Sequence, residues 1–484
     1  MYQLKLKPKN ANSYATPAQS NRRIHVFELD SDIMPQQKIK IGKGLDFHFA
    51  GQPVAKAVSL SSPSQVAVLP EHIPFVKPRL HVAQGDAVRI GSPLFEDKRN
   101  PRIRFLSPGG GRIAHIQLGP RRIIQRIVID CDMPQEACET FPVLSMEELA
   151  AIERRDLVDL ILNGGLWWIF RELPFRDLPD PQSIPPMIIV ALGAKEPFQP
   201  LPEVYLQGQE ETLAYGLAVL QRLTQGRVAV AAEAGQSVSQ QMGRQVTHVV
   251  DGRYPADDPA TLLYHTKRSA ADNRAWFVSG QDVLLLAALL QLGRYPIERV
   301  VVVGGAAADM PQHYHTRLGV PLAHLAKDQR IGNEARHIVG GLLRGFAGAA
   351  DGFMGLYETA LNLLPLGRRS EFLALFRPGL RKPTFSRTFV SRLNSGALDY
   401  NCNMNGEERA CIACMHCADV CPVDILPQLA YKAILIEEVE EYLQHGLLDC
   451  VECGLCTYVC PSKIELTRTL VAAKAAYAKE RMAS

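Results

Sequence analysis

The chain has 484 residues, 47% of them apolar and 21% charged, with a formal net charge of +3. That length is enough for about three or four domains with cores of their own, and the mixture excludes a disordered chain. The near-neutral balance gives no reason for a nucleic-acid partner, and none is expected.

The N-terminal stretch "MYQLKLKPKNANSYATPAQSNRR" is polar and has no apolar segment of the kind a signal peptide carries. No apolar run approaches the roughly 18 residues needed to span a bilayer. "VLLLAALLQL" (Val283 to Leu292) is too short and is closed by Gly293-Arg294, so it reads as a buried helix. The chain therefore reads as cytoplasmic, with docking on a membrane complex left open. Residues 1–37 are expected to form a polar extension.

Residues 38–135 show short apolar runs broken by Gly and Pro. They alternate at period two, with turns at Gln84-Gly85-Asp86, Gly91-Ser92 and Pro108-Gly109-Gly110-Gly111. That spacing predicts a small β-barrel or sandwich. The order "V-x-x-GD-x-V-x-x-G-x-x-L … SP-x-x-G-x-I-x-x-I" resembles the biotinyl/lipoyl-carrier sandwich. Lys98 falls near the position of a carrier's modified lysine, but an ordinary surface lysine on a reused fold is the expectation.

Residues 145–295 read as a Rossmann-like α/β domain. "SMEELAAIERRDLVDLILNGG" is amphipathic at helical spacing and opens with a capping box, Ser145 with Glu148. "PPMIIVALGA" and "GRVAVAAEAG" are buried-strand runs on either side of the helical "EETLAYGLAVLQRLTQ". Strand, helix, strand implies a right-handed crossover and a parallel sheet. The apolar strand "RVVVVGGAA" opens a small α+β, β-grasp-like insert over 296–340. A helical, basic linker is expected over 341–400. Within it Leu366 to Asn394 carries seven Lys/Arg against one acid, which suits a solvated connection as well as a surface facing phospholipid or an acidic partner.

Eight of the eleven cysteines stand in two motifs, "CIACMHCADVCP" (411–422) and "CVECGLCTYVCP" (450–461). So many in an intracellular chain argue for metal or redox chemistry over disulfides, and Cys131, Cys138 and Cys402 are expected to be plain thiols. Each motif has the C-x2-C-x2-C-x3-C-P spacing, in which three sulfurs converge on one cubane and the fourth ligates the other cluster. One [4Fe–4S] cluster is thus expected on Cys411, Cys414, Cys417 and Cys460, the second on Cys450, Cys453, Cys456 and Cys421. Zinc sites use pairs of ligands and do not need this pattern. "ILPQLAYKAILIEEVEEYLQHGLLD" reads mainly as one helix capped by Gly446, and "IELTRTLVAAKAAYAKERMA" as a closing helix. Residues 401–484 are therefore expected to form a helical dicluster ferredoxin module that relays single electrons.

The module's "LPQ" and "DC-x-E-C-G-x-C-x-Y-V-C-P-S" resemble the C subunit of the Rnf electron-transport complex. "IKIGKGLDFHFAGQP", "FEDKRNPRIRF", "GGLWWIFRELPFRDLPDPQSIPP", "LAVLQRLTQGRVAV" and "NGEERACIACMHCADVCPVDILP" make the chain similar to the NqrA family, one of the subunits of the Na+-translocating NADH:quinone oxidoreductase (Nqr). An ordinary NqrA has lost most of these cysteines. Both families share a core with the flavin-bearing subunit of respiratory complex I, which binds FMN and NADH. The matching phosphate loop keeps only Gly164 and Gly165, followed by Trp167, Trp168 and Phe170, and "ALGAKEPF" keeps Glu196 with Lys195 beside it. "RYPADDPAT" has lost a further glycine and glutamate. Glu196, Gly164 and Gly165 thus mark a degenerate cofactor site, and these departures argue against FMN in this chain. Trp167, Trp168, Phe170 and Arg171 either face a quinone or partner or, as expected, fill the core.

The resemblance implies a peripheral subunit on the cytoplasmic face of a membrane, bound to membrane and flavin-carrying subunits. It would relay electrons through two clusters, with NADH and quinone as substrates of the complex. The alternatives are a flavoprotein like the Rnf C subunit or a cobalamin reductase, and a redox-silent docking scaffold.

Overall fold

The computed structural model describes residues 36–483, apart from 134, 330–334, 368–378, 381, 382, 384–389, 395, 399 and 404–406. The polar extension, except for its last two residues, and most of the basic Leu366–Asn394 segment lie outside the described residues. The chain is an α/β multidomain protein, and among the described residues no helix is long and apolar enough to cross a membrane.

Two small antiparallel sheets form the sandwich. One runs Gln65–Val68, Ile124–Cys131, Gly111–Leu118, Ala87–Val88; the other runs Pro78–Leu80, Pro93–Asp97, Asn100–Leu106. Alternating apolar residues face inward, and Phe95 stacks on Phe105 at 4.5 Å between ring centroids. Lys98 is exposed in the tight turn joining Pro93–Asp97 to Asn100–Leu106.

The α/β domain has a six-stranded sheet: Gln37–Ile41, His248–Gly252, Arg227–Glu233, Met187–Ala191, Trp276–Ser279, Arg171–Glu172. All neighbours are parallel except the last pair. The helix Glu210–Leu223 crosses between the parallel strands Met187–Ala191 and Arg227–Glu233. It packs closely on the helix Gly280–Leu292, since a Cβ on Gly216 would lie 2.4 Å from Val283 Cγ1. Gly293 ends that second helix with φ 62, a left-handed conformation natural to glycine. Residues 38–41, expected in the sandwich, instead form the edge of this sheet. Lys38 and Lys40 point to solvent while Ile39 and Ile41 pack inward, a charged edge that blunts further pairing.

The mixed third sheet runs Phe346–Gly348, Ala335–Val339, Ala360–Pro365, Glu298–Gly304, Gln312–Arg317, Val54–Ser59. It extends well past 340, where a helical linker is expected, and it borrows Val54–Ser59 from the sandwich segment. "ALNLLP" is the reason: a short apolar run reads as strand or helix equally well until its partners are known.

The amphipathic segment after Ser145 is two helices, Met146–Ala151 and Arg154–Asn163, broken at the extended Ile152-Glu153. The capping box is present: Ser145 Oγ accepts from Glu148 N at 3.2 Å and Glu148 Oε2 accepts from Ser145 N at 2.8 Å. Ser145→Ala should lower stability by about 1 kcal/mol, read as an earlier midpoint in urea.

The helix expected between the cysteine motifs is also two, Pro427–Leu435 and Val439–Gln444, with Glu437 at φ 58 between them. One continuous helix would crowd Glu437, Glu438, Glu440 and Glu441 together. The break puts Glu440 and Glu441 in a first turn, where the helix dipole favours acids. Leu466–Ala483 closes the module.

Candidate metal centre

The two cysteine motifs are copies at the level of the backbone. Ala413 and Met415 in the first have positive φ (53 and 64), and so do Glu452 and Gly454 in the second (57 and 80). Asp424 and Lys463, three residues past each fourth cysteine, match as well (53 and 58). Non-glycine residues hold five of these six positions, at about 1–2 kcal/mol each. That conformation winds C-x2-C-x2-C into a loop around an interior space.

There are two such spaces. One is lined by Cys411, Cys414, Cys417 and Cys460. The other is lined by Cys421, Cys450, Cys453 and Cys456, with apolar walls from Val423, Ile425 and Leu470. Each fourth cysteine therefore faces the cavity of the other motif, and Cys417 borders both.

Burial pushes the thiols of Cys417 and Cys421 up to about 11 and that of Cys453 up to about 12, and it raises Cys450 and Cys456 as well. In this dry setting a thiolate persists only when a bound cation compensates it, so loading metal expels protons. The donor set fits a polynuclear iron–sulfur group. Cys417 Sγ lies 3.2 Å from Gln428 Oε1 and Cys456 Sγ lies 3.3 Å from Thr467 Oγ1. Gln428 and Thr467 occupy matching places, each seven residues beyond its motif's fourth cysteine. "LPQ" marks the first by sequence; only the 39-residue offset between the motifs would have pointed to Thr467.

The two loops differ in surroundings. Ile412 and Met415 leave the first loop exposed (68% and 42%), whereas Val451 and Leu455 bury the second. Against the second loop lies a charged junction invisible in the motifs. Tyr254 Oη donates to Cys453 O at 2.8 Å, Arg176 donates to Val451 O at 3.1 Å, and Lys474 Nζ donates to Cys450 O at 2.8 Å. Arg176 and Arg344 both bind Asp258, and Lys474 pairs with Glu452. His265 with Pro422 O, and Lys267 with Asp449, fasten the module further to the α/β domain.

Of Gly164, Gly165 and Glu196, expected to mark a degenerate cofactor site, the two glycines stand at close side-chain contacts and Glu196 accepts backbone hydrogen bonds. A Cβ on Gly164 would meet Leu289 at 2.3 Å and one on Gly165, at φ 66, would meet Leu106 at 2.2 Å. Glu196 Oε1 accepts from the backbone N–H of Leu343 (2.8 Å) and Arg344 (3.1 Å), and burial pushes its carboxyl pKa up. Lys195 pairs with Glu233. Trp167, Trp168 and Phe170 are core: Trp167 meets Trp276 edge-on at 5.6 Å and donates to Pro179 O. Arg171 lies over the Tyr357 ring at 4.1 Å.

Family models match the same three parts: an NqrA N-terminal barrel-sandwich hybrid domain at 39–132, an NqrA second alpha/beta domain at 152–295, and a 4Fe-4S dicluster domain at 410–464. Fold and site thus define an α/β multidomain protein that ends in a 4Fe–4S dicluster domain. The NqrA subunit of the Na(+)-translocating NADH-quinone reductase of Tolumonas auensis is 32% identical over 431 residues, covering 88% of this chain and 96% of that protein. The NqrA of Vibrio anguillarum is 31% identical over 437 residues, covering 89% and 97%. The chain belongs to the NqrA family of Na(+)-translocating NADH-quinone reductase subunits. A chain of NAD+-reducing [NiFe]-hydrogenase in the H2-reduced state overlays 70% of this chain and 65% of its own at 13% identity and a TM-score of 0.38, a likeness too slight to argue from.

Proposed function

We propose that this chain relays single electrons through two [4Fe–4S] clusters as the cytoplasmic, peripheral subunit of a Na+-translocating NADH:quinone oxidoreductase-type complex. The observation that carries the reading is the pair of adjoining cavities, one faced by four cysteines and the other by five, with Cys417 on the border of both. Cys411, Cys414, Cys417 and Cys460 would hold one cluster, and Cys450, Cys453, Cys456 and Cys421 the other. The clusters supply reversible one-electron storage. The chain's own residues bury the second site, aim backbone N–H groups at Cys417, Cys421 and Cys453, and bring Gln428 and Thr467 against ligand sulfurs.

Membrane and flavin-carrying subunits are the proposed partners, with NADH and quinone as substrates of the whole complex and FMN outside this chain. The proposed partition is a sandwich, a Rossmann-like domain, a small α+β domain and the dicluster module. Anaerobically purified protein should contain about eight irons per chain and give [4Fe–4S] EPR signals on dithionite reduction. Iron well below that, or an EPR-silent reduced protein, would sink the relay and leave a docking scaffold.

A further inference from the structure

The second cysteine loop is completed from outside its module. Leu343 and Arg344 belong to the turn between Ala335–Val339 and Phe346–Gly348 of the third sheet. Glu196 pins that turn through both backbone amides, and a Cβ on Gly341 would lie 2.1 Å from the same carboxylate. Leu343 O then sits against Gly454, where a Cβ would come within 2.8 Å. This seating sends the Arg344 side chain inward, where Nε donates to Tyr254 Oη at 3.1 Å and Tyr254 donates in turn to Cys453 O.

We propose that Arg344 is a positioning residue that sets the reduction potential of the metal centre on Cys450, Cys453, Cys456 and Cys421. This rests on reading the two cavities as [4Fe–4S] sites.

Reduction adds negative charge to a cluster, so a fixed cation held in a low dielectric stabilises the reduced form. Three cations face the second loop, Arg344, Arg176 and Lys474, against the carboxylates of Asp258 and Glu452. Glu196 is a further carboxylate beside Arg344, and its Oε1 is taken up by the backbone amides of Leu343 and Arg344. The hydroxyl of Tyr254 passes Arg344's polarisation to the peptide of Cys453. A guanidinium stays protonated at every working pH, so the influence is constant. Among the described residues the first loop has no cation as sheltered as Arg176 (12% exposed) and Lys474 (4%), nor as Arg344, which is 26% exposed. Lys43, which donates to Ala418 O at 3.2 Å, is 42% exposed. The first loop's nearby pair, His416 with Asp419, spans 3.9 Å on the surface, and Arg409 reaches Pro461 O from an exposed position.

The experiment is an EPR-monitored redox titration of the full chain carrying Arg344→Gln, Arg344→Lys or Lys474→Gln, with iron assayed on each sample. With iron retained, Arg344→Gln should lower the midpoint of one [4Fe–4S] signal and leave the other in place. Arg344→Lys should return most of that shift, and Lys474→Gln should lower the same midpoint. If Arg344→Gln cannot hold its second cluster, a shift in Lys474→Gln together with a near-native midpoint in Arg344→Lys supports the proposal. Unchanged midpoints, or equal shifts of both signals, overturn it. A wild-type chain without two [4Fe–4S] signals would overturn the relay reading itself, before any variant is compared.

Discussion

In the double variant Cys421→Ala, Cys453→Ala, one [4Fe–4S] cluster should survive, with iron falling from about eight to about four per chain. In Cys414→Ala, Cys421→Ala both clusters should be lost. The contrast is informative because Cys414 and Cys421 belong to one motif, whereas Cys421 and Cys453 line one cavity. If each motif held its own cluster, the two outcomes would exchange. Cys421 is buried among Val423, Ile425 and the second loop, so its sulfur faces the cavity of that loop. Cys460, its counterpart, lines the first cavity with Cys411 and Cys414. Iron assay and EPR on the two double variants, prepared in parallel, read the outcome.

How much of this is legible in sequence depends on how local each feature is. The helix Gly280–Leu292 is, since a continuous apolar run closed by a left-handed glycine has few other readings. The run Met187–Ala191, Glu210–Leu223, Arg227–Glu233 is too, because strand period, helix period and strand period follow one another within one crossover. The aromatic Trp167, Trp168 and Phe170 bury as their composition suggests. Pairings between distant segments are not legible. Gln37–Ile41 finds its partner at His248–Gly252, and nothing within five residues announces an edge strand. "ALNLLP" becomes a strand only because Glu298–Gly304 and Ala335–Val339 lie on either side. Helix breaks at Ile152-Glu153 and Glu437 interrupt patterns whose periodicity continues across them. The charged junction is the extreme case. Arg176, Tyr254, Asp258, Arg344 and Lys474 come from four separate stretches, with no period or spacing to link them.

Asp258→Ala should be the most destabilising single change at that junction. The side chain is 2% exposed and binds two guanidiniums, those of Arg176 and Arg344. Burial alone would raise its pKa, but those two cations outweigh it and hold the carboxyl well below the usual range. Removing the carboxylate leaves Arg344 without its ion-pair partner and Arg176 with only the more distant Glu452 at 3.7 Å, a change that costs about 3 kcal/mol, the lower end for a broken buried pair. It also removes the cap of the helix Pro259–Thr266, where Asp258 accepts from Ala260 N at 2.8 Å, at about 1 kcal/mol. Asp258→Asn can keep the cap and should recover that smaller part only. Adding Arg176→Met to Asp258→Ala should be far less damaging than the sum of the two single changes, because one stranded charge leaves with its partner. Urea midpoints of iron-loaded protein, followed by helical circular dichroism, test each step. The pH dependence has a definite sign. A depressed carboxyl pKa contributes stability that is complete above the unfolded value of about 3.9 and is lost as pH falls through the folded value. Burial, Glu233 and the Asp258 charge push the neighbouring Asp257 carboxyl up to about 7, so the gap between wild type and Asp258→Asn should stay constant from about pH 5 to pH 6, below the range in which Asp257 titrates. A gap that widens with rising pH would mean that Asp258 is not ionised between its two arginines.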